Sequence, residues 1–396
     1  MVRPNQLLSL STSGVNNAPD DQVLGSTPRK GRIGGLVKDF TEQDSAYGEL
    51  ALTQPLKKYS SQKITKNQTP LLNEQIESNE NGEIGEISTN SEIRDLDWQS
   101  RTAVPLLKNL KRITAPNPSM MTGPGTNTYI VGTDLTGYIV IDPGPYDIEH
   151  TAQIFKACCG DIQMIVCTHS HPDHSPGARP LQLLCEKNSD HKPPILGLAS
   201  RPTAKPSGQF QPDRELRDKE CLVLKSKTIE LSKDLNPSSK PETHTLEVIY
   251  TPGHAANHVC LILQEDGLLF SGDHVLNGST TVVDPPDGNM GQYLSSLTLL
   301  AKLCEEKHIE FIFPAHGYVL GNYFGKPRSA LSVIEGLYAH RMKRELKILK
   351  VIQNNPKGSM DDWVKIAYDD VPSNVWPVAK RSLLAHFENL KANNLV

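Results

Sequence analysis

Several things are missing from this sequence, and each absence excludes a class of protein. No run of eighteen apolar residues occurs in the 396-residue chain, so it has no signature of a membrane-spanning helix. Its beginning has no apolar core of the kind that drives secretion. The seven cysteines are odd in number and scattered, with no C-x-x-C pair, which argues against a disulfide framework and for a reducing compartment. Cys167 and Cys260 lie inside apolar runs and read as core. Charge of one sign is also lacking: the net charge of −4 does not mark the whole chain as a polyanion binder. No G-x-S-x-G elbow is present, so no serine nucleophile is signalled.

The first hundred residues have few aromatics and no sustained hydrophobic period. They are rich in Ser, Asn, Gln, Lys and Glu, and Glu74 to Glu92 is an acidic, Asn-rich tract. Such a composition buries too little apolar surface to offset the entropy of ordering, so a largely disordered tail is expected over 1–100. Arg3 and the Ser-rich Leu8 to Ser13 hint at an organelle presequence, but Asp20, Asp21 and the want of an Arg-rich amphipathic face oppose it. An interaction or spacer tail is the expectation. The expected location is cytoplasmic, with mitochondrial as the alternative.

Chemistry is concentrated in Thr168-His169-Ser170-His171-Pro172-Asp173-His174, where four candidate metal ligands fall within six residues. The apolar run Ile162 to Cys167 before it reads as a buried strand, and Ser175-Pro176-Gly177 after it as a turn into a helix. His169 and His171 share one side of extended chain, while Asp173 and His174 come after the turn and can face a second point. Imidazole and carboxylate suit zinc, and also manganese or iron. The same device recurs. Thr251-Pro252-Gly253-His254 ends the run Leu246 to Tyr250, Ser271-Gly272-Asp273-His274 ends Gly267 to Phe270, and Pro314-Ala315-His316-Gly317 ends Phe311 to Phe313. Four apolar runs, each stopping at a small or turn residue and presenting a His or Asp, make a chance polar loop a poor explanation.

The series T-H-x-H-x-D-H, T-P-G-H, S-G-D and P-A-H-G resembles the metallo-β-lactamase superfamily. Asn117 to Tyr129, Asp142-Pro143-Gly144, His340-Arg341 and Ala385-His386 are similar to its lactamase-β-2-like hydrolases. The resemblance covers about residues 105 to 396. It implies a four-layer αββα sandwich over 105–325 and a small helical, winged-helix-like domain over 326–396. It also implies two divalent cations, zinc first. His169, His171 and His254 would hold one, Asp173, His174 and His316 the other, and Asp273 would bridge. A hydroxide shared by the pair would be the nucleophile, with Asp173 also orienting it. Asp142 would stand close behind the site rather than on a metal.

Elsewhere, Tyr129 to Gly132 and Tyr138 to Ile141 read as a hairpin turning at Asp134 to Gly137. Gly123 and Gly125 before it read as a tight turn needing positive φ as readily as a phosphate cradle. Helical periodicity runs over Ile148 to Cys158, Gly177 to Glu186, Met290 to Glu306, Ala330 to Gln353, Asp361 to Tyr368 and Val375 to Lys391, with a capping-box start at Ser359. Arg201 to Arg217 and Lys225 to His244 read as polar surface loops, which would leave His191 and His244 solvated. His258 is expected to hydrogen-bond beside the site, and His274 to point away from it.

A metal-dependent hydrolase follows. Its substrate stays open between single-stranded RNA, which the basic set Arg341, Lys343, Arg344, Lys347, Lys350, Lys380 and Arg381 favours, and a thioester of the hydroxyacylglutathione kind. β-Lactam hydrolysis is the weakest reading. The partners are thus a small ester or thioester, or RNA; nothing points to DNA, a membrane or an oligomeric state. The other class is a non-enzymatic scaffold with a retained fold, against which the complete ligand set argues.

Overall fold

The computed structural model describes residues 100–189, 191–227, 241–277, 280–321 and 329–396. The expected tail over 1–100 and the loop tip at 236–239 lie almost entirely outside the described residues.

Two sheets stack face to face. The first runs in the order β1 (Val104–Leu107), β2 (Leu110–Thr114), β3 (Asn127–Thr133), β4 (Gly137–Ile141), β5 (Ile162–Val166), β6 (Ile195–Gly197) and β7 (Arg214–Glu215). The second, taken from β8 (Cys221–Lys225), continues through β9 (Thr243–Tyr250), β10 (Val259–Leu263), β11 (Leu268–Gly272) and β12 (Phe311–Pro314) to β13 (Leu320–Gly321). Both sheets are mixed: β4–β5–β6–β7 and β11–β12 are parallel, the other pairs antiparallel. Period-two alternation sorts the side chains. Tyr129, Val131, Ile139, Ile141, Val259, Leu261, Leu268 and Phe270 join the core between the sheets. Their neighbours Ile130, Tyr138 and Val140 pack outward beneath α1 (Ile148–Ala157) and α2 (Ala178–Asn188), on Ile154 and Leu181. Cys260, Ile262 and Leu269 pack outward beneath α3 (Met290–Glu306) and the start of α4 (Ala330–Asn354). The αββα sandwich expected from the sequence is the architecture found.

Helix boundaries follow local chemistry. Asp147 accepts from the His150 amide at 2.7 Å and opens α1, and Asn289 does the same for α3 at 2.9 Å. Ser359 and Asp362 close the expected capping box on α5 (Met360–Ala367). A fourth core gathers Ile348, Val351 and Ile352 of α4 with Trp363, Val364 and, from α6 (Trp376–Ala392), Leu383 and Leu390. The long helix α4 therefore serves two cores. Ala330 to Leu337 cover the second sheet, and Ile348 to Ile352 hold the C-terminal helices.

One expectation is corrected. His244 is not in a solvated loop. The β8–β9 ladder runs on through Leu224↔His244 to Lys225↔Thr243, so backbone pairing carries His244 into the sheet, where it is 3% exposed and its Nδ1 lies 3.3 Å from Asn109. His191 is exposed, as expected.

Candidate metal centre

The chemistry-bearing segments all leave the sandwich at one end. His169 to His174 follow β5, His254 follows β9, Asp273 follows β11 and His316 follows β12. The parallel register Gly272↔Pro314 brings the ends of β11 and β12 level. The sheets are tied together there by Val259 N donating to Thr168 O at 2.8 Å and Asn127 N to Ala315 O at 2.7 Å. Two glycines make the approach possible. Gly272 adopts φ +50°, and a Cβ on it would lie 2.6 Å from His258 Nε2. Gly253, at φ +139°, passes so close to α3 that a Cβ would lie 2.3 Å from the Tyr293 backbone. Asp142 also adopts a positive φ, 49°, and its carboxylate accepts from Thr168 N and Thr168 Oγ1, both at 2.7 Å.

Seven side chains meet in two groups. In the first, His171 Nδ1 lies 3.0 Å from His169 Nε2 and 2.9 Å from His254 Nε2. In the second, His316 Nε2 lies 3.2 Å from Asp173 Oδ2, and His174 Nε2 3.5 Å from it. Asp273 stands between the groups. Its Oδ2 is 3.5 Å from His254 Nε2, while its Oδ1 is 3.2 Å from His316 Nε2 and 3.5 Å from His174 Nε2. His169, His174, His254, Asp273 and His316 are buried; His171 and Asp173 are the members reached by solvent and so mark the opening.

Four of the five rings are held from behind. His174 Nδ1 faces Asp142 Oδ2 at 3.0 Å, His169 Nδ1 faces Thr168 Oγ1 at 3.0 Å, His254 Nδ1 faces Val282 O at 2.7 Å and His316 Nδ1 faces Gly125 O at 3.3 Å. A carbonyl behind Nδ1 requires N–H there, which turns the Nε2 lone pair of His254 and His316 toward the cluster.

The two groups differ electrostatically. Burial, reinforced by His174 and His171, pushes His169 well below the ordinary imidazole range, and burial reinforced by His254 and His174 pushes His171 down to about 3. Burial opposes charge on His174 as well, but Asp173, Asp273 and Asp142 outweigh it and hold that ring well above its usual value. On His316 burial is outweighed by Asp273 and Asp173, which raise it to about 9. Burial would raise the Asp273 carboxyl, yet His316 and His174 hold it well below the carboxylate range.

The arrangement fits divalent cations on three observations. His169, His171, His254 and Asp273 form one set, and Asp173, His174 and His316 another, each with its ligand atoms within 4.8 Å of one another. Around a tetrahedral zinc, with Zn–N near 2.0–2.1 Å, ligand atoms stand about 3.3 Å apart, close to these contacts. His174 Nε2 and Asp273 Oδ1 are buried with no hydrogen-bond partner, and both point into the cluster. A buried polar atom so placed is satisfied by a cation.

The structure thus brings together all seven residues singled out in the sequence. It leaves out those expected to stand aside. His258 bonds Thr251 Oγ1 at 2.9 Å and receives the Asp273 amide at 3.2 Å, and His274 Nε2 turns to Tyr293 O at 3.3 Å. Sequence reasoning missed Thr168, Thr281 and Arg341. Thr168 had a signal, since it directly precedes His169. Arg341 had one too: it falls at helical spacing with the buried Ile334, Leu337 and Ile348 and so belongs to the inward face of α4, not to a basic surface.

A helix-flanked sandwich with imidazoles and carboxylates collected at one end defines a metallohydrolase-type fold with a cluster that could hold metal ions. Residues 121–316 match the model of the metallo-β-lactamase superfamily, and 359–396 that of the β-lactamase-associated winged helix domain. A Caenorhabditis elegans "Beta-lactamase-like protein 2 homolog" is 30% identical over 285 residues, 71% of this chain and 81% of that protein. An Aspergillus chevalieri "Atrochrysone carboxyl ACP thioesterase" is 27% identical over 289 residues, 69% of this chain and 79% of that one. The crystal structure of a β-lactamase domain protein from Burkholderia ambifaria, 19% identical, covers 75% of this chain and 90% of its own with a TM-score of 0.55, which shows the shared fold. The chain belongs to the metallo-β-lactamase superfamily, and its C-terminal helices are the associated winged helix domain.

Proposed function

We propose that this chain is a hydrolase dependent on two divalent cations, most simply zinc, acting on a thioester. The observation that carries the two-cation reading is Asp273. Its two oxygens face different imidazole groups, Oδ2 toward His254 and Oδ1 toward His174 and His316. Two cations, when bound, supply Lewis acidity at the attacked carbonyl or phosphoryl and bring the pKa of water toward 7. The chain's own residues do the rest. The rings of His169, His171 and His254 offer nitrogen ligands. Asp173, partly open at the mouth, is placed to orient an incoming water. Buried walls behind the cluster exclude competing solvent.

Two observations favour a thioester. One is the relative named as a thioesterase. The other is that four of the seven basic residues singled out in the C-terminal helices are paired within the protein or buried. Arg344 pairs with Asp370 at 2.7 Å, Lys380 with Asp361 at 2.7 Å, Lys347 with Asp369, and Arg341 is buried. RNA is the second reading, favoured by one feature. Lys205 and Arg381, both substantially exposed, flank Asp284 at 2.6 and 3.8 Å, two residues beyond the carbonyl that holds His254. Metal-loaded protein offered a panel of acyl-thioesters and labelled single-stranded RNA separates them. Thioester turnover that vanishes in Asp273→Ala supports the first reading; RNA cleavage alone, equally lost in that variant, replaces it with the second. About two equivalents of metal per chain are expected, and none would leave the scaffold alternative standing. A reducing, cytoplasmic setting is proposed on the cysteines, all seven of which are free, with the mitochondrion as alternative. Among the described residues no helix is long and apolar enough to cross a membrane.

A further inference from the structure

Arg341 comes from α4, in the C-terminal third of the chain, yet only 3% of it is exposed and its guanidinium reaches the metal-centre end of the sandwich. It donates from Nη2 to Thr281 O and lies over the Tyr293 ring, 5.2 Å from its centroid. The neighbouring residues hold the cluster. Thr281 Oγ1 donates to Asp273 O at 2.8 Å, and with a longer contact to His274 O at 3.3 Å. The next carbonyl, Val282 O, takes His254 Nδ1 at 2.7 Å. Tyr293, under the guanidinium, donates its hydroxyl to His274 O at 2.8 Å. One buried cation therefore secures the segment on which the imidazole of His254 and the backbone of Asp273 both rest.

Taking a guanidinium out of water costs several kcal/mol, and a full set of partners normally offsets it. Here the set is incomplete, because Arg341 Nε is buried without a partner. Arg344, one turn further along α4, has its Asp370 carboxylate in a two-pronged pair at 2.8 and 2.7 Å. Stability alone explains Arg344 but not Arg341. We propose that Arg341 is a positioning residue for the metal centre: through Thr281 and Val282 it fixes His254 and Asp273, so that the C-terminal helical layer completes the site in the sandwich. This inference rests on the reading that the cluster holds divalent cations.

The test uses the full chain, stripped with a chelator and reloaded with cobalt, whose visible absorption reports ligand geometry, or with zinc against a competing chelator. Partners that orient a metal ligand are worth about 10–100-fold in affinity. Arg341→Met is expected to weaken metal binding within that range and to alter the cobalt bands, and Thr281→Val to weaken it about tenfold. Arg344→Met is expected to lower the melting temperature while binding metal within about twofold of wild type. Wild-type affinity and cobalt bands in both Arg341→Met and Thr281→Val would overturn the inference. So would an Arg344→Met protein weakened as much as Arg341→Met. If Arg341→Met does not fold, Thr281→Val decides alone. A wild-type chain that takes up neither cobalt nor zinc would overturn the cation reading itself, a result distinct from any of these.

Discussion

Two buried polar clusters in this molecule are built in opposite ways. At the strand ends, His174 Nε2 and Asp273 Oδ1 converge on a common space with no hydrogen-bond partner, and nearby carboxylates raise the pKa of His174 and His316. In the C-terminal helices, Arg344 is matched by Asp370, by the Ala367 carbonyl and by the Tyr368 ring 4.3 Å away. The first cluster is complete only with something added; the Arg344–Asp370 ion pair of the second is already closed. A converging set of donors with orphaned atoms marks a binding site, whereas a saturated ion pair, even a buried one, marks a scaffold. Lys and Arg richness over the last seventy residues said nothing about which of these it was.

The sharpest way to break the comparison is to remove a member of the open cluster. His171→Ala should lose metal from its group and reduce turnover by more than about 10²-fold, since a ligand is worth more than the groups that orient it; wild-type-like turnover would sink the proposed hydrolase. A closed histidine offers the contrast in pH. Burial holds His150, whose Nε2 meets Thr128 Oγ1 at 3.0 Å, down to about 4. Its unfolded form, titrating near 6.5, binds a proton first, so stability is full above pH 6.5 and falls as pH drops from there toward 4. The loss should be on the order of 3 kcal/mol across that window. Melting temperature measured against pH should show this slope in wild type and a flatter one in His150→Gln.

Smaller effects sharpen the boundary between the regions. Asp142→Asn keeps the shape but weakens the hold on His174 Nδ1, and should cost about 10–100-fold in metal affinity with little change in fold, as read by chelator competition. Asp370→Asn opens the Arg344 pair. Because Asp370 is 49% exposed, solvent screens the loss to about 1 kcal/mol of stability, visible as a shift of a few degrees in melting temperature with metal affinity unchanged. If Asp370→Asn weakens metal binding as Asp142→Asn does, the two clusters are not separate in kind.

Much of the fold was legible because apolar runs of strand length stop at turn residues. β5, β9, β10, β11 and β12 and the helices α1 to α6 stand within a few residues of where the sequence puts them. The edge strands did not announce themselves. β7 is two residues, Arg214–Glu215, both exposed, and nothing in such a pair distinguishes a ladder from a loop. His244 was misread because a polar residue looks the same in a solvated loop and in a strand extended by its partner's register.

The sequence by itself determined that the chain would present imidazoles and carboxylates at the ends of several strands, because period, turn residues and ligand types are all local properties. Only the tertiary structure decided which oxygen of Asp273 faces which histidines, that Asp142 stands behind His174, and that an arginine from a distant helix reaches the Thr281 carbonyl. Those contacts join residues up to 99 positions apart, from His174 to Asp273, and their geometry is fixed by how two sheets and their helices pack, which no single stretch of chain encodes.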